Sequence, residues 1–228
     1  MIQFFALIPR TASVSSQEFH DHWRHPHGTM GRNIPSLRSY VQSHHIHCDF
    51  LAADQAKFEG IAESTFDTVE DAAQFGNDPY YKQHIQPDEP NFVDGPRLEW
   101  LNTEEEVLVS RGGGQEPSSY PDALWLYLDL PVSIKLLQFV RPEGNAKWAG
   151  EDDVELGQRI GALRHVRNRP VHSIHGDTPP YIGVRQLWWP TLSAFNAGVA
   201  RDPDAFRVLV ARGGAAVTLL AQAERFLR

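Results

Sequence analysis

Residues 18–28 of the chain read Glu18-Phe19-His20-Asp21-His22-Trp23-Arg24-His25-Pro26-His27-Gly28. Just before them, Ser15 and Glu18 have the spacing of a capping box, in which the serine oxygen accepts from the backbone N–H of Glu18 while the glutamate reaches back. A helix is therefore expected to begin after Ser15. Pro26 has no backbone donor and disfavours helical geometry at the preceding residue, so the helix should end or kink near His25.

Histidines concentrate in and after this stretch, since seven of the 11 in the chain lie between His20 and His47. An imidazole readily exchanges protons or binds a metal near neutral pH. Trp23 and His27 share one helix face, where an aromatic side chain usually anchors the core. Because His27 follows the proline, its side chain can point into a cleft. We predict that His27 is catalytic and that Trp23 binds substrate. Polar helix surface is the interpretation for the other helix histidines, His20, His22 and His25.

A strand is predicted from residue 37 to residue 46, and its alternation places Tyr40, Gln42 and His44 on one face. The pattern leaves open which face lines an interior. A phenol and an imidazole two residues apart can act as a proton-transfer pair on a bound small molecule. We therefore predict that His44 is catalytic and that Tyr40 and Gln42 bind substrate.

Glu63 lies on the next predicted strand, residues 58–66, within an apolar run. A carboxylate buried there needs a partner, and the candidates are His27, His44 and Arg38. Glu63 is predicted to be catalytic by orienting or charging such a histidine. The alternative is a buried ion pair or hydrogen bond that has no chemical role.

The second half of the chain nearly repeats the first. Residues 111–119 read Arg-Gly-Gly-Gly-Gln-Glu-Pro-Ser-Ser, which is the composition of a linker, near the middle of the chain. On its two sides, residues 2–10 align with residues 134–142, and residues 60–66 align with residues 183–189. Each half predicts the order β-α-β-β-α-β, the ferredoxin-like arrangement.

This repeat predicts an α+β protein of two units, residues 1–110 and residues 121–228, joined by a linker at residues 111–120. The second unit should contain a helix near residues 151–164 and a final strand near residues 216–226. An additional apolar segment, residues 123–130, precedes its first strand and is expected to form an extra strand or a short helix.

Charge and composition narrow the classes of partner. The net charge of -8, without a dense run of lysine and arginine, argues against a nucleic-acid partner. No run of 18 apolar residues exists and the first residues lack a secretory signal, so we expect a cytoplasmic protein with no membrane partner. Cys48 is the single cysteine, which excludes an intrachain disulfide and favours a small buried apolar side chain.

Several of these residues together resemble the EthD family of the dimeric α+β barrel superfamily. The resemblance covers about residues 1–108 and rests on Phe19, His20, Trp23, His27 and Gly28, on residues 34–44, and on Gly60, Ile61, Ala62, Glu63 and Phe66. The second half lacks this helix motif and has Val154-Glu155-Leu156-Gly157-Gln158 in its place. Gln186 stands there where Glu63 would be.

The resemblance implies that two ferredoxin-like units pair through their sheets around a barrel, with helices outside and a ligand pocket between sheet and helices. Both units lie on one chain, so the barrel should close internally. The motif occurs in the first half alone, which predicts one polar pocket per chain. A homodimer of such pseudo-dimers is an alternative to a monomer.

Two functions are compatible with these residues. The first is a small-molecule enzyme that acts on a hydrophobic or aromatic oxygen-bearing metabolite by histidine-mediated proton transfer, without a cofactor. Isomerisation, cyclisation, decarboxylation and cofactor-free oxygenation all fit, including a step of an oxidative degradation pathway. The second is a non-catalytic ligand-binding or accessory protein of an oxidative pathway.

Metal binding is the rival chemical interpretation, because His45-Ile46-His47 is an H-x-H pair on one strand face. The compact H-E-x-x-H and C-x-x-C patterns are absent, so no metal is predicted. Haem is suggested only by analogy of fold, which is a poor warrant for function. Nucleophilic catalysis has no support, since the sequence contains no G-x-S-x-G motif.

Overall fold

The computed structural model describes residues 1–52, 55–110 and 132–227. The strands are β1 Ile2–Ile8, β2 Ser39–Ile46, β3 Gly60–Phe66, β4 Glu99–Ser110, β5 Val132–Val140, β6 Arg164–Pro170, β7 Gly183–Trp189 and β8 Ala216–Leu227. The α-helices are α1 Ser16–His22, α2 Thr29–Gly31, α3 Val69–Gln74, α4 Asp153–Arg159, α5 His172–His175, α6 Leu192–Arg201 and α7 Pro203–Ala211. Wider π-helical turns cover Trp23–Gly28 and Tyr81–Ile85, and 3₁₀ turns cover Gln55–Lys57, Phe75–Asn77, Glu89–Asn91 and Gly95–Arg97.

The eight strands form one closed antiparallel barrel in the order β1-β3-β2-β8-β5-β7-β6-β4. Strands of the first half are neighbours in the order β4-β1-β3-β2, and those of the second half in the order β8-β5-β7-β6. Two seams join the halves, where β2 pairs with β8 and β4 pairs with β6. The predicted α+β fold is confirmed, and the barrel closes within one chain.

The helix that opens the first half begins and ends as the sequence predicts. The Ser15 hydroxyl accepts from the Glu18 N–H at 3.2 Å, and the Ser15 N–H donates to the Glu18 carboxylate at 2.7 Å. The α-helix ends at His22, and in the following π-helical turn His25 adopts an extended backbone with φ -142° and ψ 122°. The break before Pro26 is therefore confirmed.

The second half differs in its first helix. The helix predicted for residues 151–164 ends at Arg159, and Arg164 is already the first residue of β6. Gly161 has a φ of 76°, a left-handed conformation that ends helices and that glycine adopts without strain. The predicted linker at residues 111–120 and the apolar segment at residues 123–130 lie outside the described residues.

Strand alternation divides the core into an inner and an outer layer. Inside the barrel, apolar side chains of both halves pack together, among them Phe5, Ile61, Leu101, Leu137 and Phe139. The outer faces of the strands pack against the helices. Within the described ranges, no helix has both the length and the apolar character needed to cross a bilayer.

Candidate functional site

A cavity of about 120 Å³ lies in the first half, between the outer face of the sheet and the helical segments that cover it. Ala6 on β1 and Ala62 on β3 are directly paired across the sheet and line this cavity. Their small side chains leave space that larger residues would fill. The remaining lining residues are Phe4, Ile8, Trp23, His27, Gly31, Ile34, Leu37, Tyr40, Ser64, Phe75, Tyr81, Ile85, Glu89, Phe92, Val93 and Leu98.

His27 lines the cavity and is held from behind by a carboxylate. Its Nδ1 lies 2.9 Å from Oδ2 of Asp88, and its ring packs edge-on against Phe92. A carboxylate accepts hydrogen bonds, so Nδ1 carries the proton and Nε2 carries the lone pair. Burial lowers the pKa of His27, against an opposing effect of Asp88. Neutral His27 can therefore accept a proton at Nε2 near pH 7.

Asp88 also binds a second histidine. His22 Nε2 lies 2.9 Å from Oδ1 and 3.1 Å from Oδ2 of the same carboxylate. Asn91 Nδ2 donates to Oδ1 at 3.1 Å. These hydrogen bonds lower the pKa of Asp88, although burial acts in the opposite direction. Asp88 therefore stays a carboxylate and fixes both the orientation and the tautomer of His27.

Tyr40 lines the same cavity, and its hydroxyl is oriented by Gln42. Gln42 Nε2 donates to the backbone oxygen of Trp23 at 2.7 Å and to the Tyr40 hydroxyl oxygen at 2.9 Å. Because that oxygen accepts from Gln42, its own proton is free to be donated elsewhere. Burial raises the pKa of Tyr40 to about 12, so the hydroxyl stays protonated.

His44 lies behind Gln42 and does not line the cavity. Its Nε2 donates to Gln42 Oε1 at 3.1 Å, and its Nδ1 lies 2.8 Å from Nδ1 of His20. The ring also packs on Trp23, with centroids 4.5 Å apart. Burial lowers the pKa of His44 to about 3. His44 is therefore neutral near pH 7, and both of its ring nitrogens are engaged in hydrogen bonds.

Glu63 lies on the opposite face of the sheet, inside the barrel. Lys135 of the second half forms an ion pair with Glu63 Oε2, while Gln3 Nε2 donates to the same oxygen at 3.2 Å. Ser43 Oγ donates to Oε1. The expectation that His27, His44 or Arg38 is the partner of Glu63 is therefore wrong. Successive side chains of a strand point to opposite faces, so Glu63 points into the barrel while its neighbours Ala62 and Ser64 line the cavity outside. The face of β2 that holds Ser43 points into the barrel.

His27, Tyr40 and Trp23 thus line one cavity. Gln42 is hydrogen-bonded to Tyr40, and His44 is hydrogen-bonded to Gln42. Glu63 lies on the other face of the sheet, away from them. Three further residues at or beside the cavity were not predicted from the sequence: Asp88, Glu89 and Tyr81. Tyr81 donates a 2.7 Å hydrogen bond to the Glu89 carboxylate, and burial raises the pKa of Glu89. No local motif marks these residues, because more than 50 residues separate them from His27.

The two histidines of the H-x-H pair, His45 and His47, contact different residues. His47 is exposed and lies 3.1 Å from Asp49, whereas the His45 backbone N–H donates to the backbone of Glu59. Among the residues that the structure describes, no three histidine, cysteine or carboxylate side chains gather as a metal site would require.

Comparisons with known proteins agree with the sequence resemblance. The family model of the EthD domain matches residues 12–96. A protein from Aspergillus novofumigatus named decarboxylase nsrE is 26% identical over 100 residues, which are 39% of this chain and 66% of that protein. The alignment thus spans just under two thirds of this relative's length.

Solved structures extend the comparison to the barrel. A structure described as an anthrone oxidase-like protein superposes with a TM-score of 0.59 at 13% identity, covering 99% of this chain and 92% of that one. An EthD family protein from Bacillus halodurans is 24% identical and covers 46% of this chain and 99% of its own, with a TM-score of 0.39. The first of these likenesses establishes the barrel fold along nearly the whole chain. Residues 12–96 of the chain therefore match the EthD domain model, and they lie within a closed α+β barrel.

Proposed function

We propose that the protein is a small-molecule enzyme that removes a proton from the carbon next to a carbonyl group of a ligand bound in the first-half cavity. The observation that carries this proposal is the pair of groups on one cavity, a neutral imidazole hydrogen-bonded to Asp88 and a protonated Tyr40 hydroxyl. An acid and a base with separated pKa values are the usual equipment for such chemistry.

In the proposed step, His27 Nε2 takes the proton, the C–H electron pair becomes the carbon–carbon double bond of an enolate, and the carbonyl π electrons move to the oxygen. Negative charge then develops on the ligand oxygen, where the Tyr40 hydroxyl donates a hydrogen bond. Asp88 stabilises the resulting imidazolium through Nδ1. Oriented donors at the site of developing charge are among the largest contributions to catalysis.

The other predicted site residues act behind this pair. We infer that Gln42 and His44 are positioning residues, because the chain of hydrogen bonds from His44 through the Gln42 amide fixes the direction of the Tyr40 hydroxyl. For Glu63 we propose the structural alternative, a buried ion pair that has no chemical role. Its bond to Lys135 joins β3 of one half to β5 of the other.

Several reactions share the electron-rich carbon that this step creates. Isomerisation and cofactor-free oxygenation form it by removal of a proton, and decarboxylation forms it by loss of carbon dioxide. The names of two similar proteins, a decarboxylase and an anthrone oxidase-like protein, support this group of reactions and do not select one. The alternative function is a ligand-binding or accessory protein, in which the same cavity binds without turnover.

Hydrogen–deuterium exchange separates these alternatives. We expect the protein to catalyse exchange of the methyl protons of acetophenone in D₂O, followed by proton NMR, and the His27→Ala variant to lose this activity about 100-fold or more. His47→Ala is the matched control, because His47 is largely exposed and remote from the cavity lining. Absence of exchange by the unmodified protein would contradict the enzyme proposal and favour the binding function.

We also propose that residues 1–110 and 121–228 are ferredoxin-like units that arose by internal duplication, with residues 111–120 as their linker. The equivalent strand orders of the two halves support this proposal. A Cβ at Gly60 would lie 2.4 Å from Trp23, and one at Gly183 would lie 2.0 Å from Trp148. Each half therefore packs one tryptophan on a glycine at the start of its third strand. The homodimer of such barrels stays a prediction.

A further inference from the structure

We propose that the first-half cavity is selective for uncharged, single-ring molecules that carry an acceptor oxygen, and that it excludes carboxylates. This inference rests on the proposed function, since it concerns the same site, but it narrows the ligand class and, by excluding carboxylates, removes decarboxylation from the group of reactions. Size, charge and donor geometry each contribute one part of the argument.

The size of the cavity sets the number of rings. Its volume is about 120 Å³, and a dry apolar cavity of roughly 150 Å³ is enough to hold one benzene ring. Most of the walls are aliphatic or aromatic, with Phe4, Phe75 and Phe92 among them. One flat carbocyclic ring matches this space, whereas a fused polycyclic body would require the walls to move.

The charge of the walls excludes an anion. Of the lining residues that the structure describes, none is a lysine or an arginine, and one is the carboxylate Glu89. Asp88 lies directly behind His27. A ligand carboxylate would therefore leave water to sit near two protein carboxylates without a cation, an arrangement that is strongly unfavourable. The nearest candidate for a cation, His27, is already engaged with Asp88 and has a lowered pKa.

Two hydrogen-bond donors define where the ligand oxygen binds. The Trp23 indole N–H is fully buried and finds no hydrogen-bond partner among the described residues. Trp23 also lowers the pKa of the Tyr40 hydroxyl, against the larger effect of burial, so the two polar groups are neighbours. Both side chains line the cavity. An unsatisfied buried donor is costly, and a ligand oxygen between Trp23 and Tyr40 would satisfy it.

A matched series of three single-ring compounds tests this selectivity. Phenol, toluene and benzoate have the same ring and differ in the oxygen and the charge. In isothermal titration calorimetry at pH 7, we expect phenol to bind at least tenfold more tightly than toluene, and benzoate not to bind. Benzoate binding as tightly as phenol, or toluene matching phenol, would overturn the proposal.

Variants assign the effect to the named residues. Trp23→Phe and Tyr40→Phe should each reduce the affinity for phenol about tenfold towards that of toluene, and Tyr40→Phe keeps the ring that packs the wall. Trp100→Phe is the matched control, because Trp100 is 44% exposed and does not line the cavity. Glu89→Gln should allow benzoate to bind. Unchanged phenol affinity in both phenylalanine variants would overturn the donor assignment.

The binding and exchange measurements test the ligand class and the enzyme proposal independently. If phenol binds selectively while acetophenone exchange is absent, the ligand class stands and the enzyme proposal falls. If exchange occurs while benzoate binds as tightly as phenol, the enzyme proposal stands and the ligand class falls.

Discussion

The two halves of the barrel have equivalent strand orders but differ in what lies on the outer face of the sheet. In the first half, the cross-strand pair Ala6–Ala62 lies on the outer face of the sheet and leaves a cavity. At the same place in the second half stands the pair Gln138–Arg185. The Arg185 guanidinium is buried and donates to Asp153, to Gln138 and to the backbone oxygens of Trp148 and Leu209. A cavity in one half therefore corresponds to a buried ionic cluster in the other.

This comparison shows what creates a site on a shared scaffold. Two alanines provide the space, and polar residues from distant segments provide the chemistry. Tyr40 in the first half has His165 at the equivalent position of β6, judged from the strand register. Burial lowers the pKa of His165 to about 3, and neither of its ring nitrogens has a hydrogen-bond partner among the described residues.

The largest expected effect on stability comes from removing the buried cation of the second half. Arg185→Ala removes a fully buried cation from Asp153, which should lower the free energy of unfolding by about 3–5 kcal/mol. Denaturant unfolding measures this change. Arg207→Ala is the control, because Arg207 forms an exposed pair with Asp204 and its loss should change stability by less than about 1 kcal/mol. Equal effects of the two variants would contradict the structural role of Arg185.

Filling the first half should abolish binding with little loss of stability. Ala62→Leu places three more carbon atoms in the cavity, and we expect the affinity for phenol to fall about 100-fold, or about 2.7 kcal/mol. The free energy of unfolding should change by no more than about 1–3 kcal/mol, the range for an enlarged core side chain. Ala211→Leu, at an exposed helix end, serves as the control. Retained phenol binding in Ala62→Leu would place the ligand site elsewhere.

Acid should destabilise the folded protein through buried histidines of both halves. Burial lowers the pKa of both His44 and His165 to about 3, whereas an unfolded histidine titrates near 6.5. The unfolded chain therefore binds more protons below pH 6.5, so stability falls as the pH drops. Each histidine should contribute a loss of about 2 kcal/mol between pH 6.5 and pH 5.

His165→Phe tests that contribution in the second half. The variant should remove one histidine's share of the acid sensitivity, which unfolding curves at pH 7 and pH 5 would measure. His172→Phe is the control, because His172 is largely exposed. An unchanged pH dependence in His165→Phe would contradict the burial of a neutral imidazole at this position.

The smallest effect is expected at His22, outside the cavity. Removing its hydrogen bonds to Asp88 leaves that carboxylate to act on His27 alone, and it also removes the electrostatic effect of His22 that lowers the pKa of His27. The pKa of His27 should therefore rise in His22→Ala by less than about one unit. NMR titration of the His27 ring measures this shift. A fall in the pKa would contradict the shared-carboxylate arrangement.

Sequence reasoning predicted the features that depend on local chemistry. The capping box at Ser15, the helix break before Pro26 and the apolar strands follow from neighbouring residues and are confirmed. The placement of Tyr40, Gln42 and His44 on one face also follows from strand alternation, but the sequence left open which face this was. Their contact with Trp23 answers that question, since Trp23 covers the outer face.

What the sequence could not predict depends on contacts between distant segments. Asp88 reaches His27 across 61 residues, and Lys135 reaches Glu63 across 72 residues. Neither pairing has a local signal, because each depends on how the strands and loops close the barrel. Lys135 comes from the other half, whereas the three partners expected for Glu63, His27, His44 and Arg38, all lie in the first half.

A crystal structure of the protein with phenol would show directly whether the first-half cavity is the ligand site. We predict that phenol occupies the first-half cavity, with its oxygen within hydrogen-bonding distance of the Tyr40 hydroxyl and the Trp23 indole nitrogen and with its ring beside His27. Phenol bound inside the barrel next to Lys135, or at the filled core around Arg185, would contradict the account.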